Sequence, residues 1–168
     1  MRSRKLVSFV STGVLLALPG SAQAATRTTN FNVTASVAGN CQVTATDLAF
    51  GAFDGEIDLA NTSTVSVRCT DGTPYSVALD VGTGGGSFAG RALANGGDTV
   101  VYNLYRNAAH TEVWGDGTSS TFIVSDVGNG MGIPNAIDHT VYGELLAAGN
   151  ENAPVGSYAS SIQVTVTY

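Results

Sequence analysis

Apolar and polar residues alternate with a period of two in several separate stretches of the chain, the pattern of strands with one buried face. Phe31, Val33, Ala35 and Val37 alternate with Asn32, Thr34 and Ser36. Residues 64–69 place Val65, Val67 and Cys69 on one face. Asp71-Gly72-Thr73-Pro74 then predicts a turn. In residues 75–81, Tyr75, Val77, Leu79 and Val81 share a face. Gly82 to Gly86 predicts a loop, because consecutive glycines cost too much backbone entropy inside a strand. Residues 99–106 carry Val100, Tyr102 and Leu104 on one side, and Trp114 precedes another turn at Gly115-Asp116-Gly117. Phe122-Ile123-Val124 predicts a short strand and residues 140–146 a further one. The chain ends on an alternation whose inward residues are Ile162, Val164, Val166 and Tyr168.

Short strands at this spacing, broken by Gly, Pro and Asp, predict an all-β sandwich. No internal repeat or linker divides it, and no helical period appears after the first 24 residues. Those first residues have a different pattern. Arg2, Arg4 and Lys5 precede an apolar run from Leu6 to Leu18, then Pro19-Gly20, then Ala22-Gln23-Ala24. A basic start, a short apolar middle and a small-x-small end form a secretory signal peptide. The apolar run is shorter than the roughly 20 residues a membrane-spanning helix needs. Removing residues 1–24 from the 168 leaves 144, the length of one domain.

Export changes the charge. Residues 25–168 keep four arginines and no lysine against thirteen acidic residues, a net charge of −9. A chain of that sign repels phosphate backbones, which excludes nucleic acid as a partner class, and it has no polybasic patch for anionic lipid. Only 12% of residues are charged, too few for a disordered chain. Cys41 and Cys69 are an even pair in an exported protein and predict a disulfide. Closing that loop stabilises the fold by about 3.5 kcal/mol in the chain-entropy model. A metal site would need more thiols or nearby histidines.

Candidate chemistry is sparse. His110 and His139 lack metal-ligand spacing. Asp138-His139 supplies two members of a hydrolase triad, without a Gly-x-Ser-x-Gly elbow. Asp54, Glu56 and Asp58 offer too few oxygens for a calcium loop and read as a solvated turn. The glycine run lacks the Gly-Lys-Ser/Thr ending of a phosphate loop. No catalytic residue, cofactor, metal or small-molecule substrate is expected. The strand at 31–37 has two readings: first strand of its own sandwich, or a strand donated to another, since alternation does not name its partner.

Several blocks taken in order resemble the spore coat protein U domain family, which includes subunits of archaic chaperone–usher pili. They are the alternating segment four residues before Cys41, Leu48-Ala49-Phe50-Gly51, Val65-Ser66-Val67-Arg68-Cys69 and Pro74-Tyr75-Ser76-Val77-Ala78-Leu79. Tyr102-Asn103-Leu104-Tyr105-Arg106, Trp114-Gly115, Val141-Tyr142-Gly143, Gly156-Ser157-Tyr158 and the closing Val164-Thr165-Val166-Thr167-Tyr168 follow. Ala159-Ser160-Ser161 depart from the acidic residue and threonine common in the family. The resemblance implies an incomplete immunoglobulin-like β-sandwich over residues 39–168, completed by a donor strand. Residues 25–38 would carry that strand, with Phe31, Val33, Ala35 and Val37 at the donor positions. It also implies a periplasmic pilus chaperone, an outer-membrane usher and neighbouring pilin subunits as partners, and a surface pilus serving adhesion or biofilm formation. The alternative is a self-complemented secreted coat or matrix protein of the same family, with residues 30–37 folded into their own groove.

Overall fold

The computed structural model describes residues 23–168. The signal segment expected over residues 1–24 lies outside them except for its last two residues. The chain falls into two units, one ending at Ala35 and one running from Ser36 to Tyr168. Residues 23–40 hold no regular secondary structure, so the alternation at 31–37 is not a strand here.

The second unit is all-β apart from one turn of 3₁₀ helix at Ile133–Asn135. Its strands are β1 (Cys41–Ala45), β2 (Leu59–Cys69), β3 (Pro74–Leu79), β4 (Gly86–Ser87), β5 (Gly90–Asn95), β6 (Asp98–Tyr105), β7 (Val124–Val127), β8 (Ile137–Leu145) and β9 (Val164–Thr167). They form a six-stranded sheet in the order β1-β2-β8-β6-β5-β4 and a three-stranded sheet in the order β7-β3-β9. Every pairing is antiparallel. The non-sequential order β2-β8-β6 reflects long connections of the immunoglobulin type.

Period two decides the core. Val65, Val67, Cys69, Tyr75, Val77, Leu79, Val100, Tyr102 and Leu104 are buried, while Ser66, Ser76 and Ala78 between them are only half-buried. Trp114 fills the space between the sheets with no exposed surface, and its indole nitrogen donates to the Val77 carbonyl at 3.0 Å. A buried indole N–H needs such a partner. Leu48 and Phe50 pack onto β8 at Gly143, where an added Cβ would meet Leu48 Cδ1 at 2.7 Å. Phe50 meets Tyr102 edge-on, with centroids 5.8 Å apart.

The last strand differs from the expectation. Ile162, Val164 and Val166 are only half-buried, and Tyr168 is 59% exposed. Alternation places them on the inward face, but β9 has a neighbour on one side alone, so that face is only partly covered. Three further differences are local. Phe122 makes one isolated bridge to Trp114, and the strand starts at Val124. Gly86 leaves the glycine loop to open β4. β1 and β5 are strands that the alternation did not single out.

The fold carries one titrating contact between its sheets. His139 on β8 sits 2.9 Å from the Tyr75 hydroxyl on β3 and meets Trp114 edge-on. Burial pushes Tyr75 up to about 12, with Asp126 adding to the effect, so its hydroxyl stays protonated. Burial also lowers the His139 pKa, against opposing influences from Asp126 and Asp138. The unfolded chain therefore takes a proton near pH 6.5 that the folded chain still refuses. Stability is expected to hold above about pH 7 and to fall as pH drops from about 6.5 through the depressed folded value. Urea midpoints between about pH 8 and pH 5 check this. His139→Gln keeps an acceptor for Tyr75 and should remove that part of the slope; the same slope in both proteins would refute it.

Candidate functional site

The feature that stands out is a groove between the sheets, with a volume of about 1020 Å³. Its floor is the core itself: Val65, Val100, Tyr102, Leu104, Val141 and Leu145 of the larger sheet, with Leu79 and Val164 of the smaller. Its walls are the irregular segments 45–55 and 153–162. No histidine, cysteine, lysine or arginine lines it. Ligand pockets of similar size rely on a few convergent polar or charged groups to orient the ligand, and this floor is apolar.

The wall made by β9 is chemically unfinished. Gln163 turns both its peptide groups toward β3: its carbonyl accepts from Asp80 N at 3.1 Å and its N–H donates to Asp80 Oδ1 at 2.9 Å. Ser161 does the same toward Thr83. Peptide groups in an extended chain alternate sides. Those of Ile162, Val164 and Val166 therefore point away from β3, where β9 has no neighbour. Their side chains are half-buried against the core. This edge offers a ladder of donors and acceptors above an apolar trough.

β1 offers a second edge of the same kind. Thr46 N donates to Thr64 O, and Thr70 N to Asn40 O, so even-numbered residues of this strand face β2. The peptide groups of Val43 and Ala45 then face the other way. β1 is the last strand of its sheet, Val43 is exposed, and β1 runs close to β9. Unpaired edges beside exposed core are a template for an added strand, and an aggregation hazard without one.

In the first unit, Phe31 and Val33 are each 84% exposed, and Ala35 is exposed; Val37, just inside the second unit, is 86% exposed. Four apolar positions in the open are the inverse of the usual distribution. Cys41 and Cys69 lie directly opposite in the β1–β2 ladder and are joined as a disulfide.

The remaining candidates are structural. Asp138 and His139 are neighbours on β8 and so point to opposite faces. Asp138 accepts a 2.6 Å bond from Ser66 Oγ, while His139 faces Tyr75, so they do not form two members of a triad. His110 pairs with Glu144 at 3.0 Å and lies 5.1 Å from the Tyr105 ring centre, holding the loop after β6. Asp54 caps the Glu56 N–H, and Asp58 accepts from Ala147 N. Among the described residues, no group of three or more His, Cys, Asp or Glu is placed to hold a metal ion.

Sequence reasoning missed Arg91. It has no exposed surface, and its guanidinium donates to the Asp80 carbonyl at 3.0 Å, Asn103 Oδ1 at 2.7 Å and the Trp114 carbonyl at 2.6 Å. Burial lowers its pKa, and the nearby Tyr102, Asp80 and Tyr105 oppose the shift. It ties β5 to β6 and to the end of β3 behind the groove. Only its place as the one charged residue between Asp80 and Asp98 marked it in advance.

Comparison with known proteins agrees with this architecture. The model of the Spore Coat Protein U domain matches residues 27–165. Protein U of Myxococcus xanthus is 30% identical over an alignment of 182 positions that takes in 96% of each chain. Among solved structures, a chain in the CsuC–CsuE chaperone–tip adhesion subunit pre-assembly complex of archaic chaperone–usher Csu pili from Acinetobacter baumannii superposes with a TM-score of 0.55. That match is 23% identical and covers 79% of this chain but 40% of the solved one, so the protein spans less than half of that relative. It shows a shared fold. By the match over residues 27–165 and the near full-length relative, the chain belongs to the spore coat protein U domain family.

Proposed function

We propose that this protein is an exported structural subunit of a chaperone–usher surface pilus that polymerises by donating one strand to a neighbour. The observation that carries the reading is the pairing of an unfinished site with a matching strand. The β9 edge has no strand beside it, and the groove next to it has an apolar floor. Phe31, Val33, Ala35 and Val37 are exposed on a segment that alternates with the strand period. Strand addition joins two such features: main-chain hydrogen bonds supply affinity, and alternate side chains in pockets supply specificity. Each subunit has one donor segment and one groove, so the contact is heterologous and repeats without closing, which builds a filament.

In this reading residues 1–24 direct export, residues 25–38 carry the donor strand, and residues 39–168 form the accepting domain. A periplasmic chaperone covers the groove first, an outer-membrane usher follows, and the same or related subunits then replace the chaperone's strand. The assembled pilus serves adhesion or biofilm formation at the cell surface, and the subunit performs no chemistry. The likeness to a chain from a chaperone–subunit complex supports this at the level of fold.

A trans-complementation experiment tests it. A chain lacking residues 25–37 should bind a synthetic peptide of residues 28–38 and unfold at a higher temperature when saturated. A peptide with Phe31 and Val33 both changed to Asp should not raise the transition. Equal effects of the two peptides, or none from the first, would overturn the proposal.

A further inference from the structure

We propose that the Arg27–Thr28 bond is a processing site for an arginine-specific endoprotease of the trypsin class, and that the fold withholds every other bond in residues 25–168 that such an enzyme could cut. The inference does not depend on the reading of residues 31–37.

A trypsin-class protease draws the cation before the cut bond into a pocket that carries a carboxylate. Residues 25–168 contain no lysine and four arginines, so four bonds qualify by sequence. Proteases also nick exposed chain ends and loop tips in preference to paired strands. Arg27 meets both conditions. Residues 23–37 are all exposed, and none belongs to a strand or helix.

The other three arginines are held by side chain and backbone together. Arg91 has no exposed surface, and its strand β5 lies between β4 and β6. Arg68 lies in β2 opposite Gln42 of β1, one residue before the disulfide at Cys69. Its Nη2 donates to Gln42 Oε1 at 2.8 Å and its Nη1 to the Met131 carbonyl at 3.3 Å. Arg106 is the nearest competitor, because it follows the last residue of β6 and is half-buried. Its N–H donates to the Glu112 carbonyl at 3.0 Å, its Nε to Glu112 Oε2 at 2.8 Å and its Nη1 to the Ile123 carbonyl at 2.9 Å. Its guanidinium also stands 4.4 Å from the Phe122 ring centre, within cation–π range. Each of these three sites must open before a protease can take it.

The step consumes only water. The bond between the Arg27 carbonyl carbon and the Thr28 nitrogen breaks; the carbon gains a hydroxyl and becomes a carboxylate, and the nitrogen gains a proton and becomes the new terminal amine. The product, residues 28–168, keeps three arginines against thirteen acidic residues, a net charge of −10. It has lost the one arginine that the fold leaves exposed.

The test incubates the monomeric fraction of the mature chain, residues 25–168, with trypsin and follows intact mass. Wild type should lose residues 25–27 in one fast step and then persist. Cleavage after Arg27 should be at least about 100-fold faster than after Arg68, Arg91 or Arg106, because cutting at those sites tracks a small opened population. Arg27→Gln should stay intact for the time in which wild type is fully trimmed. In urea both proteins should be cut after the three inner arginines, which shows that folding protects them. Cleavage after any inner arginine at a rate comparable to Arg27 would overturn the proposal. So would a native Arg27–Thr28 bond that resists trypsin, or inner bonds that stay whole in urea.

Discussion

Val33→Asp is expected to abolish the heat-sensitive oligomer ladders of the mature protein, while the neighbouring Thr34→Asp leaves them largely intact. Val33 is 84% exposed, so the charge meets water there. In the proposed donated state its side chain would enter the groove, whose floor holds residues such as Val65, Leu104 and Val141. Burying an unpaired carboxylate costs several kcal/mol or forces protonation, and each 1.4 kcal/mol is about tenfold in affinity. The expected loss of subunit–subunit affinity is therefore more than 100-fold. Thr34 belongs to the other face of the same strand, where an aspartate stays in water. Gel ladders without boiling, beside circular dichroism of each variant, measure assembly and fold separately. Normal ladders from Val33→Asp, or equal loss from both variants, would remove the basis for calling 31–37 a donor.

Which parts of this were readable beforehand follows from what period two encodes. Alternation states which residues share a face, and for β2, β3 and β6 that sufficed: Val65, Val67, Tyr75, Val77, Leu79, Val100, Tyr102 and Leu104 are all buried. It does not state whether anything covers the face. Ile162, Val164 and Val166 obey the same pattern as Val77, yet remain half-buried because β9 is an edge. The segment at 31–37 shows the limit most plainly. Phe31 to Val37 has the pattern of a buried strand and lies exposed without strand structure. Alternation names the residues that share a face and not the strand that would pair with them. β5, Gly-Arg-Ala-Leu-Ala-Asn, has too little β-branched character to register as a strand and is held by pairing to β6. Asp138 and His139 could have been separated from sequence alone, since adjacent strand residues face opposite ways. The contacts of Thr70 with Ala38 and Asn40 could not, because they join positions 30 and 32 residues apart through one hydroxyl.

Arg91 is where sequence was least informative and where the largest loss of stability is expected. Arg91→Met should destabilise the domain by about 2–5 kcal/mol, mostly the cost of the backbone carbonyls it leaves without a donor. That is a large share of the roughly 5–15 kcal/mol a domain of this size has. The methionine fills much of the same volume and removes the cost of desolvating a cation, which works in the variant's favour. Against this, two backbone carbonyls lose the donors seen here, Asp80 O at 3.0 Å and Trp114 O at 2.6 Å. Each orphaned buried acceptor costs about 1–3 kcal/mol. Asn103 Oδ1 loses the guanidinium but keeps the Leu104 N–H at 2.9 Å, so it suffers less. The loss also reaches Trp114, whose backbone carbonyl is fixed by Arg91 while its ring fills the core. Arg91→Lys keeps the charge but offers a compact ammonium in place of a planar fork of donors. It should be nearly as damaging, which separates geometry from charge. Urea denaturation of the mature protein measures both variants. A stability for Arg91→Met within about 0.5 kcal/mol of wild type, the usual effect of an ordinary surface change, would show that the guanidinium fills space behind the groove without holding the strands around it.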